Sequence, residues 1–154
     1  MASKPNSAPK ANGELDHGVL PELLGYELRL AQLAVFRDFE RHVGVLGISP
    51  GRVGVLVLIE ANAGLTQSRL AQAVGLDRPT LVPVLDAFER RRLLERRRGE
   101  DRRTNGLWLT REGKRFLVRV KRRIAAHERR MFGRLSARER KQLFALLARL
   151  RAAQ

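Results

Sequence analysis

The chain has 154 residues, the length of one domain that is large enough to bury a substantial hydrophobic core. It carries 31 Lys and Arg against 16 Asp and Glu, for a formal net charge of +15. Such an excess favours a polyanionic partner such as nucleic acid, the alternatives being a solvated basic surface or affinity for an anionic membrane. The chain contains no cysteine, which excludes disulfides, thiolate metal sites and a thiol redox switch.

The amino-terminal region is predicted to contain a tail and a helix. Residues 1–18 are rich in Ser, Pro, Asn, Lys and Gly, which predicts a disordered tail and not a signal peptide. No apolar run reaches the length of a transmembrane helix, so we expect a soluble, cytoplasmic protein with no membrane partner. Pro21 then opens a helix from Leu20 to about Gly44. Its apolar residues form two strips, Leu20, Leu24, Leu28, Ala31, Val35 and Phe39 in one and Leu23, Leu30 and Ala34 in the other. Because such a helix needs two partners, we predict that residues 19–48 form a dimerisation helix, the alternative being burial within one monomer.

The central region predicts a helix-turn-helix. Ser49-Pro50 begins a helix by its capping pattern, although the run from Val53 to Ile59 has the propensity of a buried strand. Two shorter helices follow, from Thr66 to Val74 and from Asp77 to Arg91, with Thr66 and Asp77 as N-caps and Gly75 in a left-handed turn. The second of these helices turns one apolar face inward, formed by Leu81, Val84, Leu85 and Phe88.

A basic hairpin and two further helices complete the chain. Residues 93–109 predict two short strands around a turn, and eight arginines lie between Arg90 and Arg103. Thr110 caps a long basic helix, whose apolar residues are Phe116, Leu117, Val120, Ile124 and Met131. Ser136 and Glu139 form a capping box for the last helix, which carries Leu143, Phe144, Leu147 and Leu150 on one face. We therefore predict a DNA-binding domain at 49–110 and carboxyl-terminal dimerisation helices at 111–154.

Three motifs carry a resemblance to a known family. They are Leu70-Ala71-x-x-Val74-Gly75, Asp86-x-x-Glu89-x-x-x-Leu93-Leu94-x-Arg96, and Asp101-Arg102-Arg103-x4-Trp108-Leu109-Thr110-x-x-Gly113. With them the chain resembles the MarR family of winged helix-turn-helix regulators over roughly residues 20–150. The resemblance implies a mainly α fold with a small β wing, in which the N- and C-terminal helices form a homodimer interface, and it favours a helix for the run from Val53 to Ile59. It also implies a transcription regulator, expected to be a repressor, that binds a pseudopalindromic operator as a dimer and is released by a small ligand.

The candidate DNA contacts lie on the helix-turn-helix and on the hairpin. Arg78 in the first turn of the second helix is placed to read guanine, the alternative being a phosphate contact, while Pro79 and Val82 can pack on thymine methyl groups and Thr80 lies at the flank. Gln67, Ser68 and Arg69 begin the first helix and are predicted to contact phosphate. By resemblance Arg103 enters the minor groove beside Arg102, and Asp101 orients these arginines. The remaining arginines, Arg90 to Arg92 and Arg96 to Arg98, are interpreted as phosphate contacts or solvated side chains.

The effector is expected in a crevice between the dimer helices and the DNA-binding domain, where the resemblance places small anionic or aromatic compounds or acyl-CoA thioesters. The candidate lining residues are Tyr26, Arg29, Phe36, Phe39 and His42, with Trp108 a weaker candidate. The alternative is that the aromatic side chains belong to the core and Arg29 is solvated. The segment Leu24-Gly25-Tyr26-x-Leu28-Arg29-x-Ala31-Gln32 is similar to a subgroup associated with the degradation of aromatic acids, which suggests an aromatic acid or its CoA thioester.

No pattern of a catalytic site is found, and we expect neither an enzyme nor a cofactor. The three histidines are widely separated, so we expect no metal site. Two other functions stay open. A nucleoid-type architectural protein would bind duplex DNA through the same basic surface without an effector. An RNA-binding regulator fits the charge, but only 5% of the residues are aromatic and no base-stacking motif is present.

Overall fold

The computed structural model describes residues 15–98 and 105–152. The helices are α1 (Leu24–His42), α2 (Pro50–Ala61), α3 (Gln67–Val74), α4 (Arg78–Arg90), α5 (Arg111–Phe132) and α6 (Ala137–Ala152), and the strands are β1 (Leu65–Thr66), β2 (Leu94–Arg98) and β3 (Asn105–Leu109). The chain divides into two units within α1, the first ending at Val35 and the second beginning at Phe36. Within the described ranges, no helix is both long enough and apolar enough to span a membrane.

The first long helix begins later than predicted. Pro21 lies in a short 3-10 turn, Leu20–Glu22, and α1 starts only at Leu24. Leu23 separates the two because its backbone is extended, with φ −94° and ψ 117°. Its carbonyl accepts the first bonds of α1, from the N–H groups of Tyr26 at 2.9 Å and Glu27 at 3.1 Å. The predicted single helix is therefore a turn followed by a helix.

The helix-turn-helix has the caps that the sequence predicts. The Thr66 hydroxyl accepts a bond from the Arg69 N–H at 3.4 Å, and the Asp77 carboxylate accepts one from the Thr80 N–H at 2.8 Å. Gly75 lies between the two helices with φ +66°, a left-handed conformation that L side chains rarely adopt. The run from Val53 to Ile59, which has the propensity of a strand, lies in helix α2, whose buried residues are Val53, Val55, Leu56 and Ile59. Packing has therefore overridden the strand propensity of this run.

The sheet has one strand more than predicted. Its order is β1-β3-β2 and both pairings are antiparallel. Leu65 of β1 is opposite Leu107 of β3, while Leu94 of β2 is opposite Leu109. β1 contains only two residues, too few to show the alternation by which a strand is recognised. It joins the start of α3 to the base of the hairpin.

The start of α5 is held tightly against the base of the hairpin. The Thr110 hydroxyl accepts the Gly113 N–H at 2.9 Å and donates to the Arg92 carbonyl at 2.6 Å, and the Thr110 N–H donates to the Leu93 carbonyl at 3.1 Å. A Cβ on Gly113 would overlap the Leu93 carbonyl group. Glycine at this position therefore permits the close approach, which gives a physical reason for the Thr-x-x-Gly spacing.

Most of the exposed large apolar side chains lie outside the part of the chain that forms the core. The core is formed by 19 buried residues between Phe39 and Val120. α6 has the predicted capping box, in which the Ser136 N–H donates to Glu139 Oε2 at 2.8 Å, but none of its described residues is buried. Residues 15–35 likewise contain no buried position among those described. Both ends of the described chain thus present apolar side chains to solvent.

Candidate nucleic-acid interface

The outer face of α4 carries the residues predicted to read bases. Leu81, Leu85 and Phe88 are each no more than 1% exposed and fix one side of the helix against the core. Arg78 lies in the first turn, at the N-terminal end of the opposite side, and is exposed. The orientation of α4 therefore follows from the burial of its apolar residues. It leaves the first-turn arginine in solvent, where a nucleic-acid partner could reach it.

The other predicted contacts on α4 and α3 occupy neighbouring positions. On α4, Pro79 and Thr80 are exposed and Val82 is half-buried. On α3, the first turn carries Gln67, Ser68 and Arg69, of which Gln67 is half-buried and the other two are exposed. The structure thus places the described candidates of both helices in their first turns, with Val82 one turn further along α4.

The hairpin is described up to the two ends of its tip. Arg98 of β2 is opposite Asn105 of β3, so the two strands are paired up to the last described residue on each side. The predicted tip contacts, Asp101, Arg102 and Arg103, lie outside the described residues. Their assignment stays a prediction from sequence.

Trp108 lies at the base of the hairpin. A Cβ on Gly64, which has φ +83°, would lie 3.0 Å from the Trp108 ring, and a Cβ on Gly106 would overlap that ring. The Arg97 guanidinium lies 5.7 Å from the ring centroid, within cation–π range. The indole therefore packs on two glycines and one arginine and supports the hairpin.

Carboxylates near this surface are all engaged. Hydrogen bonds from the hydroxyl and backbone N–H of Thr80 hold the pKa of Asp77 below its usual value. Glu95 pairs with Arg97. Asp86 and Glu89 both pair with Arg96, Asp86 at 2.7 Å. These four residues are the acids of residues 61–98, so each of them has a hydrogen-bond or ion-pair partner, and Asp86 and Glu89 share the single charge of Arg96.

Three of the basic residues have structural partners, Arg97 with Glu95 and the two that follow, and for the half-buried Arg96 the interpretation as a phosphate contact or a solvated side chain was wrong. Arg96 forms the pair with Asp86 and Glu89. Arg91 donates to the carbonyl oxygens of Gly47 at 2.8 Å and Leu46 at 3.1 Å. In contrast, the other five arginines of residues 61–98 have no ion pair within the described ranges, namely Arg69, Arg78, Arg90, Arg92 and Arg98. The surface is therefore positive and suits a polyanion.

The effector candidates are distributed along α1. In the first unit Tyr26 is half-buried and Arg29 is exposed. In the second unit Phe36 is 48% exposed, whereas Phe39 is 6% exposed and belongs to the core. Nδ1 of the His42 ring lies 2.9 Å from the backbone carbonyl oxygen of Asp38. Phe39 is therefore a packing residue in this structure, and Phe36 is the candidate of the second unit whose side chain is most exposed.

A buried histidine cluster was missed by the sequence analysis. His127 is 3% exposed, and its Nδ1 donates to Asp38 Oδ2 at 2.6 Å. Arg130 donates to both oxygens of Asp38 at 3.2–3.3 Å. Hydrogen bonds from Arg130 and then from His127 lower the pKa of Asp38 from its usual 3.8 to about 2. Asp38 and His42 have helical spacing, but nothing in the sequence indicates the partner on α5, 89 residues away.

An apolar hollow lies between the end of α5 and α6. It has a volume of about 160 Å³. Its lining residues are mostly apolar and comprise Glu128, Phe132, Leu135, Arg140, Leu143, Phe144 and Leu147. The last three also expose 37–68% of their surface, so the hollow is part of the apolar face of α6 and not of the effector candidates on α1.

The chain is similar to known transcription regulators. The sequence model of the MarR family matches residues 46–104. A transcriptional regulatory protein assigned to the hcr operon of Thauera aromatica is 38% identical over 139 residues, which cover 89% of this chain and 84% of that protein.

Solved structures show the same fold over most of the chain. The transcriptional repressor CouR bound to a 23-mer DNA duplex is 42% identical, with a TM-score of 0.83, and the match covers 89% of this chain and 98% of CouR. CouR bound to p-coumaroyl-CoA is 40% identical, with a TM-score of 0.80, over 89% of this chain and 97% of that one. The PcaV regulator of Streptomyces coelicolor, in complex with its natural ligand, is 31% identical, with a TM-score of 0.79, over 90% and 99%. The chain therefore belongs to the MarR family of transcription regulators.

Proposed function

We propose that this protein is a DNA-binding transcription regulator, a repressor and not an enzyme, which binds a pseudopalindromic operator as a homodimer. The observation that carries the proposal is the outer face of α4, where Arg78 is exposed in the first turn and every carboxylate of residues 61–98 has a hydrogen-bond or ion-pair partner. CouR, which has the same fold at 42% identity, has been solved on a DNA duplex. That likeness supports the same use of the surface here.

The residue roles follow from docking geometry. A recognition helix enters the major groove with its N-terminal residues at the base edges, so Arg78 can chelate guanine, while Pro79 and Val82 pack on thymine methyl groups and Thr80 lies at the flank. Gln67, Ser68 and Arg69 bind phosphate at the first turn of α3. On the hairpin tip, Arg103 and Arg102 enter the minor groove and Asp101 orients them. Residues 49–110 would thus form the DNA-binding domain.

The two ends of the chain supply the homodimer contact in this proposal. α6 has no buried residue among those described, yet Phe144 is 68% exposed and Leu150 is 55% exposed. In residues 15–35, Leu24 is 80% exposed and Val19 is 65% exposed. A monomer seldom leaves so many large apolar side chains of one segment in water. Covering it with a second copy explains why helices that bury little in the monomer carry so many leucines.

The effector in this proposal is an aromatic acid or its CoA thioester, which releases the protein from DNA. CouR has been solved with p-coumaroyl-CoA and PcaV with its natural ligand, and both share the fold of this chain. Tyr26, Arg29, Phe36 and His42 are the candidates whose side chains reach solvent. Phe39 would take part only if its side chain left the core.

The test is specific binding and its release. Footprinting upstream of the gene and its neighbours is expected to protect a pseudopalindrome with half-site centres roughly 34–36 Å apart. Affinity for that site should exceed affinity for a random duplex by about 10³-fold or more and should fall steeply with salt. Adding aromatic acids and their CoA thioesters separately would identify the releasing class. Equal affinity for all duplexes, with no ligand effect, would support an architectural protein instead.

A further inference from the structure

Arg96 joins the hairpin to α4 through two carboxylates. Its Nη2 donates to Asp86 Oδ1 at 2.7 Å and its Nη1 donates to Glu89 Oε2. Asp86 and Glu89 are three residues apart and so lie on one side of α4. The planar fork of a guanidinium suits such a pair of acceptors, which a lysine ammonium could not bridge in the same way.

The burial of the Arg96 side chain indicates that its charge serves the pairing with Asp86 and Glu89. Its side chain is only 21% exposed, and its Nε is buried without a hydrogen-bond partner in the described part of the chain. A buried donor without a partner is unfavourable for stability. An apolar residue would avoid that cost, so the role of Arg96 is more than filling space between β2 and α4.

The negative charges of Asp86 and Glu89 are unfavourable for DNA binding on the proposed recognition helix. Their side chains are 42% and 31% exposed, so part of each carboxylate stays near the surface. Like charges about 4 Å apart repel by about 1 kcal/mol in bulk water and by about 4 kcal/mol near a protein surface. Without Arg96, two unneutralised carboxylates on the proposed recognition helix would approach the phosphates.

We propose that Arg96 is a positioning residue for DNA binding, which offsets one of the two negative charges of Asp86 and Glu89 and holds the hairpin strand β2 against α4. The inference rests on the proposed function and adds to it a residue that acts through two acids and not through the DNA itself. It predicts that the need for Arg96 disappears when the two acids are made neutral. A phosphate-contacting arginine would show no such dependence.

The test compares five variants by fluorescence anisotropy on the operator and on a random duplex. They are R96A, D86N/E89Q, R96A/D86N/E89Q, and the matched control R98A with and without D86N/E89Q. Arg98 is on the same strand and has no ion pair within the described ranges. R96A should weaken binding on both duplexes by on the order of tenfold. The triple variant should return to within about threefold of the wild type, whereas D86N/E89Q should not rescue R98A.

The outcomes separate the inference from the function on which it rests. If R96A loses affinity and the triple variant does not regain it, Arg96 contacts phosphate and the inference is wrong. No loss in R96A also overturns it. If R96A fails to fold by circular dichroism, R96K replaces it, with a smaller loss expected and the same rescue required. Failure of the wild type to bind any duplex would instead overturn the proposed function, and this inference with it.

Discussion

Replacing Asp38 by Asn tests the buried cluster that joins α1 to α5. The asparagine keeps the size of the side chain and one acceptor for the His127 ring, so the change removes mainly the negative charge. The pKa of Asp38 falls from 3.8 to about 2 on folding, which at about 1.4 kcal/mol for each pKa unit corresponds to at most about 2.4 kcal/mol. Since the Arg130 side chain is 40% exposed, solvent screens part of its attraction to Asp38. We therefore expect Asp38→Asn to lower the free energy of unfolding by about 1–2 kcal/mol at pH 7.

The pH dependence has a definite sign. Because the folded-state pKa lies below the unfolded-state value, the charge of Asp38 stabilises the fold fully above about pH 5, and this contribution is lost as the pH falls towards about 2. The wild type and Asp38→Asn should therefore differ most at pH 6–7, differ progressively less below about pH 4, and converge only near pH 2. Other carboxylates contribute equally to both proteins and cancel in the difference.

Urea unfolding at fixed protomer concentration, between pH 7 and about pH 2, measures this difference. The protomer concentration must be fixed because unfolding of a dimer depends on it. Glu128→Gln is the matched control, since the ion pair of Glu128 with Arg140 is long, at 3.7 Å, and exposed, and its loss should cost less than about 1 kcal/mol. Parallel stability curves for wild type and Asp38→Asn across this range would refute the assignment of the stabilisation to the carboxylate charge.

Three further variants test the interface, the hairpin base and the DNA contacts. Removing residues 136–154 deletes a helix that buries none of its described residues, so sedimentation equilibrium should give a monomer that still unfolds cooperatively; a dimer mass would contradict this. Gly113→Ala should lower the free energy of unfolding by about 3 kcal/mol, because the alanine Cβ would overlap the Leu93 carbonyl group. The control Gly51→Ala, at a position with open space around it, should be neutral or stabilising. Arg78→Ala should weaken binding to the operator by on the order of 1–3 kcal/mol and relax the preference at one base pair. Arg103→Ala should weaken binding most where the minor groove of the DNA is narrow. Equal losses of affinity on all sequences would show that both arginines contact phosphate only.

Features that depend on neighbouring residues were predictable from the sequence. The caps Thr66, Asp77 and Thr110 and the left-handed Gly75 are all found as predicted, because each bond joins residues no more than five positions apart. The apolar face of α4 was also predictable, since burial follows helical periodicity. These local signals were enough to place the helix-turn-helix and the hairpin, and with them the described candidate contacts on α3 and α4.

Features that depend on the tertiary fold were not predictable in the same way. The spacing of Asp86, Glu89 and Arg96 was part of a recognised motif, but spacing alone does not show that the three side chains bond to one another. The bond between Asp38 and His127 joins residues 89 positions apart, and no local pattern marks it. From sequence, Arg90 to Arg92 and Arg96 to Arg98 were interpreted as one group, whereas Arg91 and Arg96 have partners that only the folded chain brings within reach.

The helix α5 connects the two parts of the molecule on which the proposed function depends. Thr110 ties its first turn to the Arg92 and Leu93 carbonyls at the hairpin base. About 25 Å further along the helix, at 1.5 Å for each residue, His127 bonds to Asp38 of α1. Because backbone contact at Gly113 and a buried hydrogen bond at His127 fix both positions, α5 has little freedom to move independently of either partner. The hairpin that carries the predicted minor-groove arginines is therefore bonded, through one continuous helix, to the half of α1 that carries Phe36 and His42.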